Sequence, residues 1–142
     1  EAVTRDIISP VKQATDELPQ IVKNIEEQIV QKELVPLMED FFKDEVLYFT
    51  NNEFANRIFT KGKTKEVSWE ELNSCSDKQK PVDGKLVRLS DHLSAFLEAD
   101  SSIKHGITSS HLEGGRANMI NHYSNEKTIN GIDASSLFKI LL

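Results

Sequence analysis

The chain has 142 residues, enough for one domain that buries roughly 68–70% of its unfolded surface. Its 38% hydrophobic and 28% charged residues are those of an ordinary globular protein and exclude a disordered chain. With 23 acidic against 17 basic residues the net charge is −6. That balance excludes the positive footprint of a general nucleic-acid or anionic-membrane binder, but not a small phosphorylated substrate, whose charge a metal can offset.

Cys75, the single cysteine, cannot close an intrachain disulfide. It suits a reducing compartment and equally a secreted protein without disulfides. No apolar run approaches the roughly 18 residues of a membrane span, and the first residues do not read as a signal peptide. The expected compartment is the cytoplasm.

In chain order, Glu1 and Asp6 precede the segment Ser9-Pro10-Val11-Lys12. Pro10 fixes its own φ near about −65° and pushes Ser9 toward extended geometry, so a helix carrying Glu1 stops before it. Asp6 then falls at a helix end, where plain capping is the ordinary reading. A helical stripe follows at Leu18, Ile21, Val22, Ile25 and Ile29, capped by Thr15 or Asp16, with Pro19 tolerated in the first turn. Leu34, Val35, Leu37 and Met38 continue the stripe up to Pro36, which breaks or kinks it. A second core-facing helix is expected from about Pro36 through Phe41, Phe42, Val46 and Leu47.

From about residue 50 to 84 the periodicity dissolves into expected turns and loop. Within it, Ser68 and Glu71 have capping-box spacing, so Ser68-Trp69-Glu70-Glu71 predicts a short helix. The lysines of Lys61-Gly62-Lys63-Thr64-Lys65 read as a solvated loop, not a phosphate loop.

The next stretch, Lys85 to Ile103, places Leu86, Leu89, Leu93, Phe96 and Leu97 on one helix face. Asp91 and Glu98 share another face with Val87 and the small Ser94. Two acids two turns apart suit a divalent cation or a basic ligand, although solvated surface acids are the commoner outcome of such spacing. Farther on, Thr108 to Gly115 predicts a helical turn ended by glycines, Arg116 to Tyr123 a further helix, and Asp133 the cap of a closing amphipathic helix. Of His92, His105, His111 and His122, no two have the i, i+4 spacing of a helical zinc site, and none is expected to be a ligand.

Two of these stretches carry a resemblance. The segment Glu1 to Lys12 resembles the one following the His-Asp pair in the HD superfamily of metal-dependent phosphohydrolases, in its 5'-deoxynucleotidase (YfbR-like) branch. There the pattern reads His-Asp-x-x-Glu, then Thr-Gly-Asp, two residues and Thr-Pro-Val-Lys. Glu1 takes the place of the Glu, Thr4-Arg5-Asp6 that of Thr-Gly-Asp, and Ser9-Pro10-Val11-Lys12 that of Thr-Pro-Val-Lys. Arg5 replaces a glycine, and Ile8 stands where the bacterial nucleotidases carry a pocket-lining proline. The segment around Asp91 is similar to the last metal-ligand helix of the same branch, with Asp91 at the ligating Asp and Ala95-Phe96-Leu97 at its Ala-Tyr-Leu. The resemblance covers residues 1 to about 105.

The resemblance implies an all-α, HD-domain-like helical bundle: residues 1–142 as a single helical domain forming the C-terminal part of an HD domain, with a loop-rich insertion at about 50–84. It implies a divalent ion (Mn, Co, Zn or Mg) held by two histidines and two aspartates, with Asp91 one of the ligands. Glu1 becomes the acid/base or water-orienting carboxylate and Asp6 acts at the leaving 5'-oxygen or holds substrate. Ile8 and Lys12 become substrate-binding and Glu98 second to the ligand Asp91 or merely exposed. The implied substrate is a small nucleoside 5'-monophosphate or another phosphoester, with no nucleic-acid or membrane partner; homodimers are common in the family. The His and His-Asp ligands fall before Glu1, so the expectation is of the later part of a longer protein, inactive by itself. From a different class, a non-catalytic helical interaction or regulatory domain fits the same all-helical pattern.

Overall fold

The computed structural model describes residues 14–125 and 128–141. Two compact units meet at the Val82–Asp83 boundary in sequence. Among the described residues most of the chain is α-helical, and the one small sheet is a two-stranded hairpin.

In the first unit, helix α1 spans Leu18–Ile29, with Pro19 in its first turn and the Thr15 hydroxyl accepting from Leu18 N at 3.2 Å. Of its apolar stripe, Val22 is buried while Ile21 and Ile25 stay half exposed. A π-helical turn, Val30–Leu34, and a 3-10 turn, Val35–Leu37, carry the chain past Pro36 to an extended Met38. Helix α2 therefore begins at Asp40, later than expected, and runs to Asn52. The expected core-facing stripe is also only partly realised, since Phe41, Phe42 and Phe49 are exposed.

The expected loop at 50–84 holds more structure than its pattern shows. Strands β1 (Arg57–Thr60) and β2 (Lys63–Glu66) pair antiparallel, Arg57 opposite Glu66 and Thr60 opposite Lys63. Lys61 and Gly62 both adopt positive φ, 53° and 78°, as a two-residue turn matched to the twist of a hairpin requires. The strands escape pattern reading because each has four residues and only Arg57 and Ile58 of the eight are buried. Asp44 of α2 accepts from Thr64 N at 3.0 Å and ties the hairpin to that helix. Helix α3, Trp69–Ser74, forms where expected, with the Ser68 side chain accepting from Glu71 N. Ile58, Val67 and Leu72 make the core of this unit, with Trp69 and Cys75 packed against it.

The second unit is three helices, α4 (Gly84–Lys104), α5 (Ser110–Asn125) and α6 (Ala134–Leu141). Asp83 caps α4 by accepting from Leu86 N at 2.9 Å, and the same oxygen accepts from the Asn130 amide at 2.6 Å. Asp133 caps α6 as expected, accepting from Ser136 N at 3.1 Å. The buried side of α4 follows Leu86, Leu89, Leu93, Phe96 and Asp100. Leu97 belongs to the expected face but is 46% exposed, because one residue past Phe96 turns it about 100° away. Leu89, Phe96, Tyr123, Ala134 and Phe138 form the core.

Gly114 and Gly115 do not end a helix; α5 runs through both. A Cβ added at either would meet nothing within 4 Å, so neither glycine is required by close packing. Gly114→Ala or Gly115→Ala is expected to raise stability by about 0.4–1 kcal/mol each in denaturant unfolding, through lost freedom of the unfolded chain. Phe96→Ala, at a side chain with no exposure, is expected to lower it by about 3–5 kcal/mol in the same measurement.

Candidate functional site

The polar side of α4 carries the chemistry. Its turns alternate residues packed onto Tyr123 and Phe138 with residues facing outward, because 3.6 residues per turn give one stripe to the core and leave the rest to solvent. Asp91 and Glu98, the two acids singled out from sequence, are both exposed on this helix. Seven residues of rise separate them by about 10.5 Å along the axis, too far for direct ligation of one ion by both. Glu98 can act toward an ion at Asp91 only through water or another side chain. Glu1, Asp6, Ile8 and Lys12 lie outside the described residues.

Beside Asp91, His92 turns inward. Its Nδ1 lies 2.7 Å from the Tyr123 hydroxyl, and that tyrosine is 2% exposed and stacked on Phe138 at 4.4 Å between centroids. Burial pushes the His92 pKa below the usual imidazole value, and the Arg88 guanidinium and His122 push the same way, while Asp91 opposes them. The ring of His122 stands edge-on to His92 at 6.4 Å. Arg88, His92, Asn118, Met119 and His122 line a cavity of about 270 Å³ between α4 and α5. The sequence reading set the histidines aside one by one. The available signal was a pair of i, i+4 pairs, Arg88 with His92 and Asn118 with His122, each on one face of its helix.

Farther along α4, Asp100 is a buried carboxylate that sequence reading assigned no role. It bonds Lys104 Nζ at 2.7 Å and Arg116 Nε of α5 at 2.8 Å, and the Arg116 guanidinium also lies 5.7 Å over the Phe96 ring. This is a brace between helices, two cations on one acid, and it needs no ligand.

A family model described as HD domain matches residues 1–120. The chain belongs to the HD domain family. No curated protein and no solved structure matches it. HD domains are helical, as this chain is, and are generally metal-dependent hydrolases that bind divalent metals. The described residues fit such an ion only in part. An exposed carboxylate such as Asp91 is a suitable hard ligand. Among the described residues, however, no three His, Cys, Asp or Glu side chains converge on one point.

The Asp100 brace has a pH signature. The bonds from Lys104 and then Arg116 hold its carboxyl below the usual 3.8. A lowered folded-state pKa contributes stability that is present above the unfolded value and lost as pH falls through the folded one. Thermal unfolding is therefore expected to lose midpoint on acidification below about pH 4. Asp100→Asn should lower the midpoint at neutral pH and flatten that acid dependence.

Proposed function

We propose that this chain belongs to an HD-type phosphohydrolase that hydrolyses nucleoside 5'-monophosphates to nucleoside and phosphate. The observation that carries the reading is the HD domain match across residues 1–120. The nucleotidase assignment rests more narrowly on the likeness of Glu1 to Lys12 and of Asp91 to Phe96 to the YfbR-like pattern.

In this reading Asp91 supplies a carboxylate ligand from the exposed side of α4. A divalent ion held there, when bound, would acidify a water and polarise the phosphoryl group. Glu1 would orient the attacking water and take up its proton. Asp6 holds the substrate at the leaving 5'-oxygen, and Ile8 and Lys12 contact it, the lysine as a point charge toward phosphate. Glu98 stays one step removed from Asp91. The cytoplasm is the proposed compartment and a homodimer the proposed assembly.

A second reading, a non-catalytic interaction domain, is favoured by the apolar side chains exposed in the first unit, among them Phe41, Phe42 and Leu37. Phosphate release from a panel of nucleotides and other phosphoesters, measured with added divalent metal, separates the two. Metal-dependent release from monophosphates is expected, with Asp91→Asn lowering it by at least about 100-fold and leaving unfolding within about 0.5 kcal/mol of wild type. Release from other phosphoesters alone would remove the nucleotidase assignment. No release from any phosphoester would leave the interaction domain.

A further inference from the structure

The cavity between α4 and α5 has no part in the reaction just described, and its wall has a consistent chemistry. Arg88 and His92 stand four residues apart on α4, Asn118 and His122 four apart on α5, and Met119 closes the apolar side. Four of the five wall residues can donate a hydrogen bond, and one carries a fixed positive charge. Among the described residues no carboxylate lines it; Asp91 is adjacent to His92 in sequence but is not in the wall. Such a wall disfavours a cation and offers an anion a guanidinium fork, an amide and imidazole N–H groups.

The wall is also held in place. The buried Tyr123 hydroxyl and His92 Nδ1 share a hydrogen bond of 2.7 Å, which fixes the orientation of that ring in the wall. Tyr123 also touches His122, ring against ring, at 4.7 Å and 87°. One core tyrosine thus orients both histidines, and positioned donors bind an anion better than mobile ones.

The cavity, about 270 Å³ and open to solvent beside the exposed Arg88, Asn118 and His122, has room for a phosphate group and lets an ester arm extend out of its mouth. The chain's net charge of −6 supplies no general attraction for such an ion, so binding would have to come from this wall.

We infer that the α4–α5 cavity is a binding site for a tetrahedral oxyanion of the phosphate class, either inorganic phosphate or the phosphate end of a small phosphomonoester. The inference does not rest on the hydrolytic reading, because every wall residue lies in one unit and none is placed at the reacting atoms.

The test is a titration of the full 142-residue chain with sodium phosphate at constant ionic strength, followed by NMR, with sodium chloride as reference. The expected result is saturable shifts confined to Arg88, His92, Asn118, Met119 and His122, half-complete at or below about 10 mM. Asn118→Asp puts a negative charge in the wall at an exposed helix position and should raise the half-saturation point by about tenfold or more. Arg88→Gln should do likewise, with the far-UV circular dichroism of both variants unchanged. Asp91→Asn, which removes a neighbouring negative charge, should not weaken binding; loss of hydrolysis in that variant with phosphate binding intact separates this site from the reactive one. A second titration with a nucleoside 5'-monophosphate distinguishes the sources. Half-saturation at or below that of phosphate assigns the site to a phosphomonoester, and weaker binding assigns it to the free ion. Absence of saturable shifts with phosphate, or equal shifts in Asn118→Asp, would each overturn the inference.

Discussion

Tyr123 is the residue on which the second unit turns. Its ring lies flat on Phe138 of α6 at 4.4 Å, with an interplanar angle of 10°, and Phe138 meets Phe96 of α4 edge-on at 5.2 Å. Three helices therefore share one aromatic cluster, and aromatic rings are the side chains with the most area to bury and the most definite geometry. A tyrosine in that position must also find a partner for its hydroxyl, and His92 provides it. The need to satisfy one buried oxygen thus draws an imidazole in from the polar side of α4. The cavity exists because that ring and His122 face each other above the cluster.

Other polar contacts keep the three helices from sliding along this greasy seam. Asp83 binds the start of α4 and the Asn130 side chain with one oxygen, which fastens the loop before α6 to the entry of α4. Asp100 fastens the other end of α4 to α5 through Arg116. A buried carboxylate is costly unless paired, so Lys104 and Arg116 are required by Asp100 as much as they are served by it. In the first unit the hairpin has a comparable place. Val67 and Ile58 supply core residues from its two ends, and the backbone of Arg57 bonds that of Val82 in both directions.

For function, the arrangement separates two kinds of polar group on one helix. Asp91 faces outward, available to a ligand from outside the described residues, while His92, the next residue, faces the α4–α5 cavity. Adjacent helix positions point about 100° apart, so a helix lying on a core can serve two chemistries on its two flanks. The proposed metal role of Asp91 rests on the likeness of the sequence around it to the family's last metal-ligand helix. The Tyr123–His92–His122 group has no such prompt and emerges from packing.

Local pattern alone determined the helices at α1, α3 and α4, the caps at Ser68 and Asp133, and the all-α class, because capping and periodicity act within a few residues. The motifs at Glu1 to Lys12 and around Asp91 also carried the family in the sequence itself. Tertiary structure decided the rest. It made the 57–66 segment a hairpin through a Lys61-Gly62 turn whose strands bury too little to show a period. It carried α5 through two glycines because Met119, Ile120 and Tyr123 gain more from the core than the glycines lose. It left Leu97 outside and brought Asp100 inside, since the partner cation on Arg116 is sixteen residues away. It brought His92 and His122 together across thirty residues, a distance over which no spacing rule in the sequence reaches.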